Sequence, residues 1–415
     1  MTYDLTQSYE LFERAERVIP GGIYGTRSPR FATFGEFPAF IRSAKGCRLT
    51  DVDGNEYIDF MCGFAPIVLG YNHPFVQRAI VEQESRGNAA SIPFDRTVEL
   101  AEALIARFPF AGWAMFGKNG SDVTTLATRV ARAHTGQAKL LVAEGAYHGF
   151  DSWSNPDATG IPAAHRTELD SFVWNDITSV HDCFDRNRGE VAAVMICPIK
   201  HDAMHDIETP LPEFFAAIQE GLDDERALLI VDDVRCGFRL HPSGASHARF
   251  GLNPDLVCFG KAISNGQPIS VLAGREELRE TAKSLYFSAT YFFSAAPMAA
   301  ALATMEAFDS EGAYEQMQGA GHLLRRGITK AAKDARVGIR YSGPDVMPNL
   351  IFKDDPKFRR GRRFSGLAAR RGVIFHPRHN WFLSAAHTPD DIAEAVSVAH
   401  ECFEIVAKEI ESGAL

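Results

Sequence analysis

The chain has 415 residues, 46% of them hydrophobic, with a formal net charge of −10. That apolar content excludes a disordered chain, and the acidity argues against nucleic acid or an anionic membrane surface as the main partner. Its length allows two or three units, or one enzyme-sized body with appendages.

Seven cysteines are scattered without a C-x-x-C pair. This spacing argues against a zinc ribbon or a disulfide scaffold and fits a reducing compartment. The first ten residues, MTYDLTQSYE, lack a basic and then apolar leader, and no apolar run approaches membrane-spanning length. A cytoplasmic location with no membrane partner is expected.

In chain order, residues 8–18 have a helical mix that Pro20-Gly21-Gly22 interrupts. Residues 38–60 read as short strands around the turn Asp51 to Asn55, as in a hairpin. The middle of the chain is different. Short runs at 140–143, 191–196, 227–231 and 256–259 are apolar on both faces, as buried strands of a largely parallel sheet are. Helical segments between them predict an α/β layer architecture. One such helix is predicted over 121–134, with Val123, Leu126, Ala127, Val130 and Ala131 on one stripe and Ser121 as N-cap. After about residue 297 the pattern becomes mostly helical, with a short strand near 347–352. The last helix starts at Thr388-Pro389, a cap followed by proline at the first helical position. This tail reads as a smaller α+β domain returning to pack on the N-terminal segment.

The phosphate-binding signatures G-x-x-x-x-G-K-[ST] and G-x-G-x-x-G are absent, as are H-E-x-x-H and G-x-S-x-G. Three other features carry chemistry. Lys118-Asn119-Gly120-Ser121 enters a helix, and a helix N-terminus with a hydroxyl is an anion site or simply a capped start. Asp232-Asp233 closes an apolar strand, at the edge where open α/β sheets bind ligands. A carboxylate there can hold a cationic ring nitrogen, pair with its neighbour on a metal, or cap the next turn. Lys261 follows another apolar strand, where desolvation lowers the pKa of an amine and favours its free form. A free lysine amine can condense with an aldehyde. Asp232 and Lys261 lie one strand–helix–strand step apart, which puts both on one sheet edge. Anion site, carboxylate and lysine together suit pyridoxal 5′-phosphate, and Tyr147-His148-Gly149 supplies an aromatic ring to stack on it.

With these residues in this order, the chain resembles the class III aminotransferases of the type I pyridoxal-phosphate fold. The likeness runs from about Ala15 to Ala407. Its signposts include Pro20-Gly21-Gly22, Asp53 to Phe60, Leu69 to Pro74, Asn119 to Asp122, Tyr147 to Gly149, Val231 to Arg239 and Asp255 to Lys261. The glutamate-1-semialdehyde aminomutase-like branch is nearest. The resemblance implies a large domain with a mainly parallel sheet over 61–300, a small α+β domain over 301–415, and an N-terminal segment, 1–60, packed with the small domain.

The resemblance also implies roles. Lys261 becomes the Schiff-base lysine and proton shuttle, and Asp232 the partner of the ring nitrogen. Val234 packs under the ring, Tyr147 stacks over it, and His148 supports the pocket. Gly120 and Ser121 bind the phosphate. The family forms homodimers with active sites at the subunit interface, and Thr290, with Ser294 as the alternative, is the expected cross-subunit phosphate contact. Tyr24 and Arg378 are the substrate-side candidates, Arg378 as anchor for an acceptor's carboxylate.

The chain departs from the family pattern at three positions. Cys197-Pro198 stands where members often carry Glu-Pro, Asp233 where glutamate is common, and Arg235 where a small or hydrophobic residue is usual. The implied activity moves an amino group from a small-molecule primary amine, without an α-carboxylate, to a 2-oxo acid such as pyruvate. An aminomutase or amino-acid racemase on the same fold is the alternative, and a catalytically silent binding protein the third. No metal is implied.

Overall fold

The structure is a computed structural model and describes residues 3–415. The chain divides into two compact units. One holds the residues up to His73 with Ala203–Ile207 and Ser310–Leu415; the other holds Pro74–Asp202 and Glu208–Asp309.

The second, larger unit is built on a seven-stranded sheet. Its order is Trp113–Gly117, Ser270–Gly274, Leu256–Phe259, Leu228–Asp232, Val191–Ile196, Lys139–Ala143 and Leu169–Phe172. The last five strands pair in parallel. Apart from the edge strand Leu169–Phe172, which carries Asp170 and Ser171, their interiors are apolar on both faces, and Val191–Ile196 and Leu228–Asp232 are buried along their whole length, the pattern of a sheet covered on both sides. Ser270–Gly274 runs antiparallel to both its neighbours. Two successive reversals leave Trp113–Gly117 pointing the same way as the parallel strands. The loops after 117, 143, 196, 232 and 259 therefore leave from one edge of the sheet.

The helix Gly120–Thr135 lies across this sheet. Val123, Leu126, Ala127, Val130 and Ala131 are buried, as their spacing predicts, against Ala192, Met195, Ile230, Cys258 and Leu272. Each buried Val or Leu contributes about 1.5–3 kcal/mol. Gly136, at φ +72°, ends the helix in the left-handed conformation that glycine adopts most cheaply. The start differs from the sequence expectation. Asn119, not Ser121, is the N-cap. The Asp122 carboxylate accepts the backbone N–H groups of Lys118 and Asn119, each at 2.8 Å. Ser121 thus falls inside the first turn, and its hydroxyl is released from capping. The passage from Asp232 to the next strand also departs from a full strand–helix–strand step, because it carries only the short 3-10 segment Ser246–Phe250.

The other unit joins the two ends of the chain. Arg48–Asp51 pairs antiparallel with Glu56–Asp59 around the expected turn, and Ile41–Lys45 adds on the outside. Val373–Ile374 pairs in parallel with Glu56–Asp59, so a C-terminal strand completes an N-terminal sheet. Ile339–Ser342 and Asn349–Phe352 form a separate antiparallel pair. The final helix, Pro389–Glu411, starts with Thr388 and Asp391 capping each other and packs on the helix Ala313–Asp334. Among the described residues, no helix is long and apolar enough to cross a membrane.

Candidate active site

The larger unit gathers the chemistry-bearing residues where its strands end. Asp232 is the last residue of its strand, and its carboxylate is buried. One oxygen, Oδ2, lies 2.8 Å from Nδ1 of buried His148; the other, Oδ1, accepts the backbone N–H of Val234 at 3.2 Å. The capping alternative is thus realised by one oxygen alone, leaving the other for the imidazole. Asp233 turns elsewhere: its Oδ2 accepts the Ser246 N–H at 2.7 Å, and burial pushes its carboxyl up to about 7. A metal held by the two adjacent carboxylates therefore loses its second ligand.

Lys261 follows Gly260 and opens the 3-10 segment Lys261–Ser264. Its φ is +44°, in the left-handed region that residues with a Cβ rarely adopt. Such strain persists only where surrounding packing holds it. Burial, reinforced by the Arg235 charge, lowers its amine to about 8 against the pull of Asp232. The free amine therefore becomes the main form above about pH 8.

Val234 joins these elements. A Cβ on Gly120 would lie 2.8 Å from its Cγ1, and a Cβ on Gly260 would lie 3.2 Å from the same atom. The helix start, the turn after Asp232 and the residue before Lys261 thus close on one buried side chain. Gly260 did not stand out in the sequence, since its value lies in a contact with a residue far along the chain.

The loop Tyr147-His148-Gly149 is stitched to the helix start. Thr124 Oγ1 donates to the His148 carbonyl at 2.7 Å, and the Phe150 N–H donates to Ser121 Oγ at 3.0 Å. Gly149 has φ +126°, and a Cβ there would stand 2.5 Å from Ser121 Oγ. Only glycine lets this loop approach so closely. Helical geometry leaves the first-turn N–H groups without internal acceptors, so Gly120 and Ser121 offer donors to an anion. Beside them, Lys118 Nζ is buried with no hydrogen-bond partner among the described residues, and burial lowers its amine to about 8. Tyr147 is 43% exposed, and its phenol is raised by burial, then lowered by Arg235 and raised by Asp232.

The Cys197 thiol, in the position expected to be acidic, is buried 4.0 Å from His148 Nδ1. Ligand atoms of His148, Cys197 and Asp232 lie within 4.8 Å of one another. Burial holds the thiol far above its usual range, in its neutral form.

Thr290, Ser294, Tyr24 and Arg378 make none of the contacts just described. Thr290 is exposed in the segment before the helix Ala295–Ser310, whereas Ser294 is buried and its hydroxyl donates to the Tyr291 carbonyl at 2.9 Å. Tyr24 and Arg378 belong to the other unit. Tyr24 is 80% exposed. Arg378 is half-buried, with its guanidinium 6.0 Å from the centre of the Phe358 ring.

The chain matches known proteins along most of its length. The family described as Aminotransferase class-III matches residues 32–388. The chain is 40% identical over 407 residues to the aminopentol aminotransferase of Sphingopyxis macrogoltabida, covering 98% of this chain and 96% of that one. It is 33% identical over 410 residues to the 3-aminobutyryl-CoA aminotransferase of Cloacimonas acidaminovorans (strain Evry), covering 97% and 98%. The structure superposes with a TM-score of 0.96 on the pyridoxal-phosphate internal aldimine form of the Sphingopyxis sp. MTA144 FumI protein, at 40% identity and 98% coverage of both chains. With a family match over most of its length and relatives aligned nearly end to end, the chain belongs to the class III aminotransferases, enzymes of the type I fold that use pyridoxal 5′-phosphate.

Proposed function

We propose that this aminotransferase takes the amino group of a primary amine lacking an α-carboxylate and passes it to a 2-oxo acid such as pyruvate, in two alternating half-reactions. The observation that carries the reading is the convergence on Val234, which joins an anion cradle, a buried carboxylate and a lysine of lowered pKa on one sheet edge. The amine class is supported by the relatives' names, since aminopentol and 3-aminobutyryl-CoA carry no carboxylate on the amine-bearing carbon.

The residues fit the cofactor on their own chemistry. Gly120, Ser121 and the close approach of Gly149 form a cradle too tight for an added Cβ and rich in N–H donors, suited to a phosphate. Asp232, oriented by His148, is suited to a protonated ring nitrogen. Val234 and Tyr147 would bracket the ring, and Lys261 would hold the aldehyde carbon. When bound, pyridoxal phosphate supplies an electron sink that lowers the cost of breaking a C–H bond beside the substrate nitrogen.

The chain's own groups do the rest. Asp232 presents its carboxylate to a cationic partner, and His148 keeps that carboxylate from rotating. Lys261 Nζ, uncharged at mildly alkaline pH, can take the proton from the amine-bearing carbon and return it elsewhere. Thr290 is proposed to reach the phosphate of a partner subunit in a homodimer, a role its exposure supports and the bonded, buried Ser294 hydroxyl does not. Tyr24 and Arg378 are kept as substrate-side residues. The cysteines are buried and form no disulfide among the described residues, which supports a cytoplasmic location.

The test is a panel of primary amines incubated with pyruvate and the purified enzyme, with alanine measured. Alanine from a subset of amines supports the reading. Turnover of an amine without any 2-oxo acid, leaving an isomer instead of a ketone, replaces it with an aminomutase or racemase.

A further inference from the structure

We propose that Arg235 is the anchor for the carboxylate of the amino acceptor, an inference that rests on the transamination reading above. Arg235 is the third residue after Asp232, in the turn leaving the strand. Its Nη1 donates to the His201 carbonyl at 2.8 Å, and the residue is half-buried. That bond uses one of the five N–H donors of a guanidinium, and the remaining fork matches a carboxylate in two parallel bonds.

Several other cations of the same unit are paired with carboxylates. Lys200 pairs with Glu208 at 3.1 Å, Arg107 with Asp309 at 2.7 Å, Arg186 with Asp170 at 2.7 Å and Arg275 with Asp255 at 3.4 Å. Arg235 has a neutral carbonyl and, among the described residues, no acidic partner within ion-pair distance. A cation so placed is held in position without being neutralised. Its charge acts on the Lys261 amine and on the Tyr147 phenol, so it stands on the site side of the turn.

The substitution at Cys197 explains why the fork is free. Arg235 also acts on this thiol, and a glutamate in its place would have competed for the guanidinium. A neutral, buried thiol does not. This suits an enzyme whose two substrates differ in charge. The amine needs no counter-ion for a carboxylate, and during its half-reaction the His201 carbonyl and water keep Arg235 satisfied. The 2-oxo acid then brings the missing anion, with no internal ion pair to break first.

The test uses the full-length holoenzyme and three variants. R235Q keeps an N–H for the His201 carbonyl and removes the charge, R235K keeps the charge and removes the fork, and R378M tests the rival arginine. Two readouts are compared. One is the dissociation constant of propionate, a carboxylate that cannot accept an amino group, by calorimetry. The other is kcat/KM for pyruvate divided by kcat/KM for propanal, which has no carboxylate.

R235Q is expected to weaken propionate binding and lower the ratio by about 10- to 100-fold, with R235K intermediate. An unchanged ratio and unchanged propionate affinity in R235Q overturns the assignment, as does their loss in R378M alone. Propionate binding that depends on Arg235 in an enzyme using no 2-oxo acid keeps the anchor and rejects the transamination reading. The two failures are thereby distinct. A merely structural role for Arg235 would lower pyruvate and propanal turnover together.

Discussion

Nδ1 of His148 lies 2.8 Å from Oδ2 of Asp232, with both side chains buried. The contact ties the loop after one strand to the end of another, two places away in the sheet. It leaves the carboxylate one fixed orientation, with Val234 N–H on the other oxygen. If Asp232 holds a protonated ring nitrogen, Asp232→Asn should reduce kcat by at least about 100-fold, since each factor of ten corresponds to about 1.4 kcal/mol of barrier. A wild-type rate would leave the carboxylate as only the cap of its turn.

His148 is expected to act through Asp232. His148→Leu should lower kcat by about tenfold, and adding it to Asp232→Asn should cost little more, because contacting residues of one network are not additive. Steady-state kinetics of the two single variants and the double variant check this. Fully additive losses would mean that His148 acts independently.

Lys261→Ala should abolish turnover while some cofactor remains bound through the phosphate cradle. Borohydride reduction followed by peptide mapping should place the cofactor on Lys261 in the wild type and on no residue in the variant. Measurable turnover in the variant would remove the lysine from the mechanism.

The lowered Lys261 amine also predicts a pH dependence. The rate at which cofactor-free protein captures pyridoxal phosphate covalently should rise through about pH 8 and level off above it. Stability should follow the same group. Below about 8 the amine is protonated in both folded and unfolded chains. Between there and the unfolded value of about 10.4 only the unfolded chain retains the proton, so stability rises with pH across that window. Lys261→Met should therefore be more stable than the wild type at pH 7, with the gap narrowing toward pH 10 in thermal melts. A gap that does not change with pH would show that the amine pays no desolvation cost.

Gly149→Ala should disturb the cradle from behind. Its φ of +126° and a Cβ 2.5 Å from Ser121 Oγ combine backbone strain with a clash. A stability loss of about 1–3 kcal/mol is expected, with cofactor affinity falling by about tenfold as Ser121 is displaced. Denaturant melts and equilibrium dialysis measure the two effects. Unchanged cofactor affinity would show that the Ser121 position is not needed for the phosphate.

What the sequence determined by itself is local in origin. Strands such as Val191–Ile196 and Leu256–Phe259 were legible because burial on both faces writes an unbroken apolar run. Asp232 and Lys261 stood out because a charged residue directly after such a run must lie at the sheet edge. The final helix was legible from Thr388-Pro389, since capping is chemistry within one turn. Tertiary structure decided whatever depends on partners distant in sequence. Trp113–Gly117 and Ser270–Gly274 carry short apolar runs as well, but their antiparallel pairing shows only in the assembled sheet. Val373–Ile374 is a strand only because Glu56–Asp59 lies beside it. Asn119 displaced Ser121 as cap because the Asp122 carboxylate reaches back to it, freeing the Ser121 hydroxyl for the loop at Phe150. The meeting of Gly120 and Gly260 on Val234, and of His148 with Asp232, follows from strand order. Residue patterns report what each segment buries, but a distance between two side chains exists only once the segments carrying them have packed.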